Sequence, residues 1–145
     1  MSQPASPATT PGQLTPSHDR PTLTLIAGLM AASAAMLVIA SIVHFGATIG
    51  GLHDPFRDAA VPEAVIASVL ACGVAAVVVR LTKAWGIALG ATVFAVAGFL
   101  VGLRFTLFGE GGPRMGDVAY HAGGLALLLT TLALLLSPAG RRARS

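Results

Sequence analysis

The chain is 145 residues long, 54% hydrophobic and 10% charged, where an ordinary soluble domain is about 45–50% apolar and 25% charged. That composition excludes a soluble globular domain and points to a membrane-embedded chain. The formal net charge of +3 does not point to nucleic acid, because the basic residues flank apolar runs instead of forming one patch.

Residues 1–22 hold five of the nine prolines, with Ser, Thr and Gln between them. A segment of this kind has too little apolar surface to order itself, and is expected to be a disordered cytoplasmic tail. The apolar run 23–45 then opens behind Pro21 and Thr22. It is too long for a signal-peptide core and its leader is weakly charged, so it is read as a true span.

Three further runs follow at about 61–79, 85–107 and 118–136. Each has roughly the 17–25 residues that a helix needs to cross a ~30 Å hydrocarbon core. Backbone amides in lipid are satisfied only in helices or closed barrels, and no barrel-like alternation is present. The expected fold is an all-α integral membrane protein, an antiparallel four-helix transmembrane bundle over residues 23–137, followed by a basic cytoplasmic tail at 138–145.

Residues 46–60 form the longest loop, rich in glycine (Gly46, Gly50, Gly51) and carrying His53, Asp54 and Pro55. Pro62 and Glu63 suit the first turn of helix 2, where an imide loses no hydrogen bond and a carboxylate meets the positive end of the dipole. Cys72 is the sole cysteine, so a disulfide within the chain is excluded and a packing role is expected. Residues 80–84 make a tight turn, which predicts antiparallel neighbours in helices 2 and 3.

Helix 3 carries Gly86, Gly90, Gly98 and Gly102 on an i+4 row that also includes Phe94. Small residues at this spacing let helices approach closely. They are expected to pack the bundle, with a homodimer through helix 3 as the alternative. Asp117 is placed to cap helix 4, and Pro138 and Gly140 to end it. Trp85 at one limit and Phe45, Phe105, Phe108 and Tyr120 at the other resemble interfacial belts.

The charges sort by side. Arg20, Arg80, Lys83, Arg141, Arg142 and Arg144 flank one set of helix ends, whereas Arg57, Arg104 and Arg114 flank the other with Asp54, Asp58, Glu63, Glu110 and Asp117. Six basic residues against three place both termini in the cytoplasm of a multi-pass plasma-membrane protein. Eight arginines against one lysine, with abundant Ala and Gly, are the usage expected of a GC-rich bacterial genome.

Residues able to carry chemistry gather on the outer side: His44, Glu63, Arg104, Asp117, Tyr120 and His121, with His53 and Asp54 in the loop. Asp117 and His121 are four residues apart and share a helix face, a spacing at which a carboxylate orients an imidazole. His44 is expected at nearly the same depth as His121. Two histidines at matched depth could hold a haem or a divalent metal, although zinc usually takes three or four protein ligands. Arg104 is read as snorkelling to the outer headgroups, or alternatively as pairing with Glu63 or Asp117. No nucleotide-binding loop, HExxH or GxSxG motif occurs. The midplane of the spans carries no ionisable residue of the kind that usually marks an ion path. The reading is a non-enzymatic binding, sensing or accessory subunit in contact with the lipid bilayer. The alternatives are a redox or metal-binding protein using His44 and His121, and a dimeric small-solute or ion transporter.

Overall fold

The structure is a computed structural model that describes residues 19–109 and 112–142. Residues 1–18 of the tail predicted over 1–22, Glu110 and residues 143–145 lie outside the described residues. Five helices appear in order: α1 (Asp19–His44), α2 (Arg57–Val78), α3 (Ala84–Phe108), α4 (Met115–Leu136) and the short α5 (Pro138–Arg142). Among the described residues there is no β-strand. A single bridge between Ile49 and Leu52 closes a turn through Gly50 and Gly51 at φ 57 and 83, a two-residue hairpin turn that needs positive φ at both central positions.

The first four helices are long and apolar enough to cross a membrane, and the protein is a candidate multi-pass membrane protein. Each packs on its neighbour in sequence, and α1 closes the ring on α4. α1 shows why: Ile26, Met30, Ser33, Leu37 and Ser41 are buried at spacings of three and four residues, which line one face of a helix. Val38, Ile39, Val93, Leu100, Val101 and Phe105 point outward and are exposed, a surface suited to lipid and not to water.

The centre is built from small residues. A Cβ on Gly73 of α2 would meet the Cβ of Ala91 at 3.1 Å and the Cα of Ala88 at 3.6 Å, with Met30 closing the third side. Gly124 of α4 packs in the same way against the Phe99 ring. Buried hydroxyls serve their own helices: Ser33 donates to Leu29 O (3.0 Å), Thr92 to Ala88 O (2.8 Å) and Thr131 to Leu127 O (2.9 Å). This one-turn back-bonding removes their need for a partner across the bundle.

Four expectations are corrected here. α1 runs from Asp19 and so includes residues 19–22, which were expected to belong to the tail. α2 begins at Arg57, one turn ahead of Pro62, which therefore lies inside the helix. Its start is set by Phe56, whose carbonyl accepts from the N–H groups of Ala59 and Ala60 and whose own N–H donates to His44 O at 2.9 Å. α4 begins at Met115 behind an extended Arg114, so Asp117 stands in the first turn and is not the cap. Pro138 does end α4, but it also opens α5. Ser137 caps that helix, its hydroxyl accepting from Gly140 N–H at 3.0 Å, with proline next to the cap, where its missing N–H costs nothing.

Candidate functional site

The last residue of α1, the second turn of α2 and the second turn of α4 meet at one carboxylate. Glu63 is buried. The His44 Nδ1–H donates to its Oε2 at 2.7 Å, and the Tyr120 hydroxyl donates to its Oε1 at 3.1 Å. Both oxygens are thus held, each by a different helix. Just beside this, the Ser41 hydroxyl donates to Ala60 O at 2.8 Å, a second tie between α1 and the stretch of α2 ahead of Pro62. The His44 ring also meets Phe56 edge-on, with centroids 6.2 Å apart.

Glu63 was expected at the positive end of its helix dipole. The earlier start of α2 moves it a turn inward, and its charge is met by side chains of α1 and α4 instead.

His121 belongs to a second, adjoining group. Its Nδ1–H donates to the backbone carbonyl of Asp117 at 2.8 Å, and Thr106 Oγ1 lies 3.3 Å from the same nitrogen. The carboxylate of Asp117 does not orient the imidazole: one turn of helix brings the Asp117 carbonyl to that nitrogen first. In a neutral ring an Nδ1–H donor leaves Nε2 unprotonated, and this Nε2 rests against Gly102 of α3. Tyr120 joins the two groups, its ring 5.0 Å from that of His121 and 5.6 Å from that of Phe99.

The other expected residues stand apart. Arg104 is exposed, and among the described residues neither Glu63 nor Asp117 pairs with it. Asp54 lies 3.5 Å from Arg114 on the surface, and His53 lies 3.3 Å from Thr48. The histidines considered for haem or metal are engaged separately. Among the described residues no group of three or more His, Cys, Asp or Glu is arranged to hold a metal ion.

The glycine row of α3 divides. Gly98 packs against Ile66 of α2 and Gly102 against His121 of α4, whereas Gly86 and Gly90 face open space. An i+4 row turns ~40° per step, so Gly86 and Gly102 are ~160° apart around the helix. The row cannot form one seam.

Ser41, Thr106, Phe99 and Phe56 were not among the expected site residues. Each is an ordinary residue of an apolar run or loop, and only the neighbouring helix gives it a role. Every buried side-chain N and O among the described residues has a hydrogen-bond partner, so the cluster is a completed network. No protein-family model matches this chain, no curated protein matches it, and no solved structure matches it.

Proposed function

We propose that this is a small, non-enzymatic four-span protein of the cell membrane, an antiparallel bundle with both termini in the cytoplasm, acting as a sensing or accessory subunit through the His44–Glu63–Tyr120 cluster at its outer end. The carrying observation is a buried carboxylate held by donors from two other helices. A carboxylate at the edge of a hydrocarbon layer is unfavourable unless something is gained from it. Here the carboxylate ties α1, α2 and α4 together.

Antiparallel packing is supported by Trp85 at the start of α3, which donates to Leu135 O at the end of α4 (3.1 Å). The orientation is supported by the excess of Arg and Lys at the Arg80 end.

The groups facing Glu63 are His44 from α1 and Tyr120 from α4. The His44 carbonyl also accepts from the Phe56 N–H, so loosening the joint frees the 46–56 loop, a segment that a partner can read. The test is amide hydrogen exchange of that loop in reconstituted protein. Loop protection should fall in Glu63→Gln relative to the wild type. Equal protection in the two proteins rejects the role of the cluster.

A further inference from the structure

At the opposite end of the bundle, α1 and α2 do not close fully. An apolar groove of about 440 Å³ runs between them, walled by Ala31 and Ala34 on one side and Ala71, Val74, Ala75 and Val78 on the other. It is a shallow, open groove, and Ala71, Ala75 and Val78 along its α2 wall are exposed. From Ala71 to Val78 the groove follows α2 to its last residue.

Arg80 stands immediately beyond. α2 ends in a Schellman motif: the Arg80 N–H donates to Val77 O at 3.2 Å and the Leu81 N–H to Ala76 O at 3.0 Å. The motif puts Arg80 at φ 55, and it is the one described non-glycine residue with positive φ. Glycine is favoured at this position because any Cβ crowds the carbonyl there. An arginine held against that preference points to a use for its side chain. The turn at 79–84 carries a second cation, Lys83, and no acid.

We propose that the groove and Arg80 together bind an anionic phospholipid of the surrounding bilayer, with one acyl chain along the alanine-lined wall and the phosphate at the Arg80 guanidinium. The groove supplies an apolar surface along α1 and α2, and the arginine just beyond the end of α2 supplies charge complementarity to a phosphate. A comparable groove between α2 and α3, lined by Val61, Val65, Phe94 and Val101, serves as the internal contrast. One turn before Val61 stand Arg57 and Asp58, whose opposite charges cancel, and no lipid preference is expected there.

The test reconstitutes the full chain in phosphatidylcholine vesicles with a trace of chain-labelled phosphatidylglycerol or chain-labelled phosphatidylcholine, and reads the motionally restricted fraction by electron spin resonance. Phosphatidylglycerol should be held over phosphatidylcholine by about fivefold per cation engaged. Arg80→Gly should lose about that factor, while its thermal unfolding temperature stays level or rises because glycine suits the turn. Ala75→Phe, which fills the groove from an exposed position, should remove the preference for phosphatidylglycerol. Arg57→Gln should change neither. Retained preference in Arg80→Gly, or equal loss in Arg57→Gln, overturns the proposal. So does a groove covered by a second copy of the chain, which would show as a change of oligomeric state in Ala75→Phe with no phosphatidylglycerol preference in the wild type.

Discussion

His44 Nδ1 and Glu63 Oε2, nineteen residues apart in the chain, lie 2.7 Å from each other across the α1–α2 contact. Replacing Glu63 by leucine leaves the His44 N–H and the Tyr120 hydroxyl without acceptors, and should destabilise the protein by about 2–4 kcal/mol. Tyr120→Phe removes one donor only and should cost about 1 kcal/mol. Thermal unfolding in a single detergent ranks the two. A Tyr120→Phe loss as large as that of Glu63→Leu would contradict the shared-carboxylate geometry.

Asp117 and His121 are expected to be uncoupled through the Asp117 side chain. The imidazole proton goes to the Asp117 carbonyl, so Asp117→Asn should leave the His121 ring-nitrogen shifts in a ¹⁵N spectrum unchanged. Thr106→Val, which removes the hydroxyl near the same nitrogen, should shift them. The reverse pattern would restore the carboxylate as the orienting group.

The divided glycine row on α3 predicts a divided mutational response. Gly98→Leu and Gly102→Leu drive a side chain into Ile66 and His121 and should destabilise by about 1–3 kcal/mol or more. Gly86→Leu and Gly90→Leu enter open space and should leave the unfolding temperature near the wild-type value. If Gly90→Leu alone shifts the oligomeric state, the open half of the row is where a second copy binds.

The charge asymmetry predicts the topology. A reporter fused after Ser145 should read cytoplasmic, and one inserted at Gly51, in the exposed hairpin turn between α1 and α2, should read external. The opposite readout would invert the bundle and turn the His44 end inward.

Much of this molecule was legible as hydropathy. The interiors of the four long helices were readable because a lipid-crossing helix must be apolar over its whole length, whichever way it faces. The same property hid their ends. Arg57 and Met115 begin helices earlier than the apolar runs do, since a helix start depends on the local backbone at Phe56 and Arg114, and hydropathy does not record backbone angles.

For the site, the chain alone determined the residue types and the helix ends they share: His44, Glu63 and Tyr120 were expected near one another, along with Arg104, Asp117 and His121, because charge and polarity sort toward one set of helix ends. The tertiary structure decided who meets whom. It gave both Glu63 oxygens to other helices, sent His121 to a backbone carbonyl, left Arg104 exposed and split the glycine row. Hydropathy along a chain is a local sum, and survives without knowledge of the neighbours. A hydrogen bond a few ångströms long depends on helix rotation and register, which are set only when the small residues of the core, Gly73 and Gly124 among them, let the helices close.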